Sequence, residues 1–318
     1  MKTLHVRNLR NFLLAAALLG TAGSVFGQVV FTEDFNDNDI SDWTVGSENL
    51  DNFGSSPDIL FPPVAAGGVV QLEAKASCFS EPFSGLASTL TKTISLPNGT
   101  YILSYDVSQS TTFYAFCDTA AIGESGILVN GVPISPVSCT VAGDCGTCTV
   151  PTTTVSGCFT VTGGSAELKL RTGASDCGDS TGVFDNIIIT AAPNKCPLSV
   201  GYWKTHPAAW PVTSLTLGTV SYTQAELLAI LKTSPGSGTK SDASLILADQ
   251  LIAAKLNVAN GSNPCLFEAA IAAADALIDG RTIPITPKIT PNTAEGQQMV
   301  SLANTLEQLN AQTPGCTP

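Results

Sequence analysis

Between Gly201 and Pro211 the chain reads Gly-Tyr-Trp-Lys-Thr-His-Pro-Ala-Ala-Trp-Pro, which places two of its three tryptophans and one of its two histidines in a single short segment. Two chemistries fit that set. Trp203, Trp210 and Tyr202 can stack on a sugar ring while Lys204 and His206 contact its hydroxyl groups. Equally, the two indoles can plug the end of a helical bundle, with Pro207 and Pro211 fixing the turn and His206 bonded to the backbone. The other histidine, His5, lies in an N-terminal leader, so the processed chain has one imidazole and builds no site that needs two. A Ser-His-Asp hydrolase would have to work through His206, and no nucleophile elbow is expected to serve it. Paired-carboxylate hydrolysis of polysaccharides needs only two acids and stays open, although no acid pair stands in a recognisable motif.

A second group is acidic. Glu33, Asp34, Asp37, Asp39 and Asp42 crowd into the run that ends at Trp43, and Asp185 follows Phe184 far along the chain. Carboxylate oxygens are the donors a hard cation such as calcium takes. An EF-hand starting at Asp37 fails on register, because Asp42 stands where the loop needs glycine at its sixth position, although Glu48 fits the twelfth. Asp37, Asp39 and Asp42 are expected to cap turns.

The third group is sulfur. Cys78, Cys117, Cys139, Cys145, Cys148, Cys158, Cys177, Cys196, Cys265 and Cys316 make an even set of ten. Residues 1–27 read as a signal peptide, with Lys2, Arg7 and Arg10 before the apolar run Phe12 to Leu19 and small residues before Gln28. Export makes disulfides the expected use of these thiols. Cys145 and Cys148 form one C-x-x-C, but neither a second pair nor a histidine pair completes a zinc site. Seven cysteines precede Cys196, so even closure in each half has Cys196 pairing back into the first half and Cys265 bonding Cys316.

These groups must be positioned by two differently written halves. Residues 28–192 are rich in Ser, Thr, Gly and Val, with alternating apolar runs such as Tyr101 to Val107 and Ala166 to Arg171, and with Asn130-Gly131 as a hairpin turn. They predict an antiparallel β-sandwich of the jelly-roll kind. Residues 196–318 change to a helical period. Thr223 and Glu226 make a capping box, a second helix runs from about Asp242 to Asn260, a third is capped by Asn263 with Pro264 inside it, and a fourth spans about Asn292 to Leu309. Four short helices predict a small disulfide-stapled bundle, with Ile283 to Pro291 as an extended strap. The acidity is also split. Residues 28–195 hold 18 acids and 5 bases, against 8 and 6 beyond. Such a surface repels phosphate polyanions, so nucleic acid is not an expected partner, and no apolar stretch is long enough to span a membrane. With 44% hydrophobic residues and 13% charged, the chain is expected to fold rather than stay disordered.

The opening Glu33-Asp34-Phe35 to Trp43, the middle Gly99 to Asp106 and the closing Phe184-Asp185-Asn186-Ile187 resemble the jelly-roll modules of secreted bacterial proteins, the carbohydrate-binding and adhesin-like sandwiches. That resemblance implies that the first and last strands lie side by side. It also implies that Glu33 or Asp34, with Asp185, holds a structural calcium ion. The Gly201–Pro211 segment together with Leu247 to Asn257 resembles a small helical module of secreted bacterial proteins with which no activity is associated. The function expected from all this is a secreted, non-catalytic binding or adhesion protein whose partner is an extracellular glycan or matrix component. The alternative is a self-associating matrix or surface-layer protein.

Overall fold

The computed structural model describes residues 27–49, 60–75, 86–113, 121–141, 145–174, 178–311 and 316. The expected leader and Cys78, Cys117 and Cys177 lie outside the described residues. The chain divides into two compact units, Gly27–Ala192 and Pro193–Pro318.

The first unit consists of antiparallel strands: β1 (Val29–Glu33), β2 (Thr44–Asn49), β3 (Leu60–Ala66), β4 (Val69–Lys75), β5 (Leu86–Ser95), β6 (Gly99–Phe113), β7 (Ala121–Val129), β8 (Val132–Val141), β9 (Gly146–Val161), β10 (Ser165–Ala174) and β11 (Gly178–Ala191). One sheet has the order β3-β4-β11-β6-β9, with β1 also pairing β11; the other has the order β2-β5-β10-β7-β8. The first and last strands are neighbours, from Val29 opposite Thr190 to Glu33 opposite Ile187. Alternation explains the layering. On β6, Tyr101, Leu103, Tyr105 and Val107 are buried, and on β10 so are Leu168 and Leu170 while Lys169 and Arg171 point the other way. These residues meet Phe35, Leu90, Ile127, Phe184 and Ile189 in one apolar core between the sheets. Asn130 and Gly131 take the positive φ values, 50° and 80°, that a two-residue hairpin turn requires. The disulfide Cys139–Cys148 joins edge strands β8 and β9.

The second unit holds α1 (Val200–Thr205), a hairpin of β12 (Ser214–Leu217) and β13 (Val220–Thr223), then α2 (Gln224–Lys232), α3 (Ala243–Ala259), α4 (Pro264–Ile278) and α5 (Ala294–Ala311). The expected Thr223–Glu226 capping box is present with both of its hydrogen bonds. Asp242 and Asn263 cap α3 and α4 by accepting from the Ser244 and Cys265 N–H groups. α3 is apolar on nearly every face and is the helix around which the others pack. The Pro-rich strap is held by the backbone: Ile283 N–H donates to the Tyr222 hydroxyl and Ile285 N–H to Ser244 Oγ. Two expectations need correction. The bundle has α1 and a β-hairpin in addition to the four helices, because elements of six and four residues are too short to show a period. Cys196 pairs with Cys316, 120 positions away and inside the same unit, and not with the sandwich; Cys265, expected to bond Cys316, is bonded elsewhere. Parity fixes how many bonds close, not which.

Candidate functional site

The Gly201–Pro211 segment forms α1 and the turn after it. Ser199 caps α1, and Trp203 faces inward at 1% exposure. The Trp203 indole N–H donates to Asn257 Oδ1 at 3.0 Å, and the Trp210 indole N–H to the Trp203 carbonyl at 2.8 Å. Both rings are spent on the bundle core, so neither offers a face for a sugar. His206 is exposed, stacked on Tyr202 with ring centroids 4.4 Å apart, and its Nδ1 lies 3.0 Å from the Tyr202 carbonyl and 2.9 Å from Thr205 Oγ1. Lys204 is exposed as well. Of the five candidates here, the structure leaves Lys204, His206 and the half-buried Tyr202 within reach of a ligand.

The acids are split. Glu33 is half-buried and fully engaged. Its carboxylate accepts from Lys92 Nζ at 3.2 Å, from the Trp43 indole N–H at 3.3 Å and from the Phe35 N–H at 3.4 Å. Lys92 is also 2.5 Å from Asp42 and sits over the Trp43 ring. Burial works against the Lys92 charge, but Asp42 and Glu33 outweigh it and hold the ammonium above its ordinary pKa. The Asp34, Asp37 and Asp39 carboxylates accept from the N–H groups of Asn36, Asp39 and Ser41, each two residues on, as turn caps do.

Asp185 stands opposite Asp106 across β11 and β6. The Asn186 side-chain amide, on a residue with φ 49°, donates to both carboxylates, at 2.8 Å to Asp106 and 3.1 Å to Asp185. Partial burial raises the Asp185 pKa, and the charges of Asp106 and Asp34 raise it further. Asp34, Asp106 and Asp185 thus share one electrostatic neighbourhood, with an amide between two of them. As a calcium set the fit is partial. The oxygens of Asp34 and Asp185 suit the ion, whereas Glu33 is held by Lys92, and among the described residues no group of three or more His, Cys, Asp or Glu is arranged to hold a metal.

A further polar place follows from strand register. On the outer face of the β1-containing sheet, Thr112 stands opposite Asp179, Ser110 opposite Thr181, and Thr181 opposite Glu73. These side chains line a surface depression of about 220 Å³ with Glu73, Ser110, Thr112, Asp179 and Thr181 around it. Glu73 accepts from Gln71 Nε2 at 2.6 Å, which fixes its carboxylate. Sequence alone shows the alternating Ser and Thr of β6, but not which acids stand beside them, because β4 and β11 lie far apart in the chain. On the other sheet, the outward cations of β10 are neutralised: Lys169 lies 2.5 Å from Glu48, and Arg171 bonds Glu124.

The expected lack of a nucleophile elbow needs one amendment. Gly178-Asp179-Ser180-Thr181-Gly182 has the G-x-S-x-G spacing. It lies within strand β11, not at a strand-to-helix turn, and Ser180 is buried, its Oγ accepting from Gln109 Nε2 at 2.9 Å and lying 3.0 Å from Thr111 Oγ1. No helix among the described residues is long and apolar enough to cross a membrane.

No protein-family model matches the chain, and no curated protein matches it. Solved structures with some likeness include one described as "CBM4 structure and function", at 14% identity over 52% of this chain and 97% of that one, with a TM-score of 0.28. A xylan-binding CBM22-1 domain from Paenibacillus barcinonensis is 12% identical over 52% and 96% of the two chains, with a TM-score of 0.28. The K3 adhesin domain of Lys-gingipain from Porphyromonas gingivalis is 15% identical over 51% and 99%, also at 0.28. Scores this low transfer neither a ligand nor a site.

Proposed function

We propose that this is a secreted, non-catalytic binding protein whose jelly-roll sandwich contacts an extracellular glycan. The observation that carries the reading is the depression lined by Glu73, Ser110, Thr112, Asp179 and Thr181. Carboxylates accept from sugar hydroxyls, and Ser and Thr hydroxyls both accept and donate, so the lining is complementary to a polyol. The sandwich half of the sequence is strongly acidic, which favours neutral over anionic sugars. His206, the one imidazole of the processed chain, is stacked on Tyr202 and bonded locally, an arrangement that supports a non-catalytic role. A glycan array with wild type, Glu73→Gln and Asp179→Asn tests it. Each variant should weaken binding about tenfold, the loss of one charge-assisted hydrogen bond. No hit on any glycan, or hits indifferent to both variants, would sink the reading.

Calcium belongs to the same proposal as a structural ion near Asp34, Asp106 and Asp185, where it would offset the mutual repulsion that raises the Asp185 pKa. Calorimetry with and without a chelator decides this, and an unchanged melting temperature removes calcium.

The alternative, self-association as a matrix component, is favoured by one feature of the helical unit. Ala273, Ala276, Leu277, Gln298, Ser301 and Leu302 line an uncharged groove between α4 and α5, and Leu266 on α4 is 54% exposed. Light scattering that rises with concentration would support it; a monomer at high concentration would count against it.

A further inference from the structure

Leu266 stands on the outer side of α4 at 54% exposure, and among the described residues of the second unit no other large apolar side chain is exposed. Further along the same helix, Ala273, Ala276 and Leu277 form one wall of a groove of about 440 Å³, and Gln298, Ser301 and Leu302 of α5 form the other. At about 100° per residue, Leu266, Ala269, Ala273, Ala276 and Leu277 fall within one arc of roughly 100°. Knob and groove therefore share a face of α4. Ala273 and Leu277 follow Leu266 by 7 and 11 positions. At 1.5 Å per residue that is about 10 to 17 Å along the axis.

The face is also uncharged. Glu268 and Asp275 fall on the opposite side of α4, where Asp275 pairs with Lys255 at 2.6 Å. By the same count Glu307 falls on the far side of α5, and Glu295 is bonded to Arg281. The whole chain carries a net charge of −12, and its acid excess lies in residues 28–195, with 18 acids against 5 bases. Two copies that approach through those residues repel each other, whereas the α4–α5 face presents neither sign to a second copy. A charged macromolecule finds nothing there to pair with.

We propose that this face binds a second copy of the chain in a closed two-fold pair, with Leu266 of each copy seated in the groove of the other. Two α4 helices that cross antiparallel bring each Leu266 over the facing groove, because the knob lies toward one end of the helix and the groove toward the other. The contacts are then reciprocal, as a two-fold axis requires, and the pair closes with no face left to recruit a third copy. Ala269 and Ala273, nearest the axis, let the helices approach toward the short end of the ~8–10 Å packing range. The proposal rests on the self-association reading and narrows it from an open matrix to two copies.

Sedimentation equilibrium of the whole processed chain over a wide range of concentration tests it. The mass should rise from one chain to two and stop there. Leu266→Glu, which puts a charge on the knob, should raise the dissociation constant by about a hundredfold or more, as should Ala276→Lys in the groove. Both positions are exposed in the single chain, so each variant should keep the melting temperature of the wild-type monomer. Mixing the two variants should restore a pair, because one contact then joins Glu to Lys and the other is wild type. Glu268→Lys, on the opposite side of α4, should leave pairing unchanged. A mass that stays at one chain overturns the pair together with the self-association reading. One that climbs past two chains overturns the pair alone and leaves a matrix component standing. A pair indifferent to Leu266→Glu and Ala276→Lys, or a mixture that stays monomeric, overturns the knob-and-groove contact.

Discussion

At Asn257 a single buried side chain satisfies four hydrogen-bonding groups of the second unit. It is fully buried, its Oδ1 accepts from the Leu198 N–H at 2.7 Å and from the Trp203 indole, and its Nδ2 donates to the Leu198 carbonyl at 2.9 Å and to Asn310 Oδ1 at 2.9 Å. Both donors and both acceptor sites of the amide are therefore used. Asn257→Ala strands several buried groups at once, and we expect a loss of about 3 kcal/mol, read by chemical denaturation with Trp203 as the fluorescent reporter. Asn257→Asp keeps the shape and the acceptors and loses the donors, so a variant as stable as wild type would show that packing, not bonding, sets the cost of the alanine change. In the sandwich, Lys92→Met should destabilise by about 2 kcal/mol, because it leaves the largely covered Glu33 carboxylate without its cation. If the variant were instead neutral in a melting experiment, the ion pair would contribute nothing beyond its hydrophobic stem. The tryptophans of the conspicuous Gly201–Pro211 segment were visible in the sequence, but their partner was not: only the fold brings Asn257 to Trp203, 54 positions away.

The elements whose periods repeat several times are legible in the chain, and those that repeat once are not. β6 and β10 alternate over many residues, and α3 and α4 carry their caps and their closing signals in the sequence. β12 and β13 have four residues each, too few for a pattern, so their hairpin is hidden. Also hidden is a polar layer inside the sandwich, where Gln109, Thr111 and Ser180 bond one another and Ser125 bonds Thr172. Read strand by strand, these are outward residues out of place. Register makes them a layer that faces two glycines. A Cβ on Gly182 would stand 2.0 Å from Thr172 Oγ1, and one on Gly123 would stand 2.0 Å from Thr111 Oγ1. Gly182→Ala should therefore cost about 2 kcal/mol by overpacking, measured as a lower denaturation midpoint of the sandwich. Adding Thr172→Ala should return part of the loss, and no recovery in the double variant would place the strain in the backbone.

At the scale of the whole molecule, each unit has its own apolar core, one between the sheets and one around α3. The disulfide Cys196–Cys316 ties the first turn of the second unit to its last residues and closes a loop of nearly the whole unit. The bond pairs Cys196 within its own unit, where the parity of the cysteine count suggests a partner in the sandwich. Two consequences can be measured together. A cross-link over a loop of this length stabilises by about 4 to 5 kcal/mol in the chain-entropy picture, almost all of it by restricting the unfolded chain of the second unit. The paired replacement Cys196→Ser with Cys316→Ser should therefore lower the melting temperature of the helical unit by many degrees and leave the sandwich transition where it was, giving two resolved peaks in calorimetry. The sandwich peak can be identified independently, because Lys92→Met and Gly182→Ala should move it and not the other. If both peaks fell together on removal of Cys196–Cys316, the two cores would not be energetically separate, and the helical unit would have to be counted as part of the sandwich's stability.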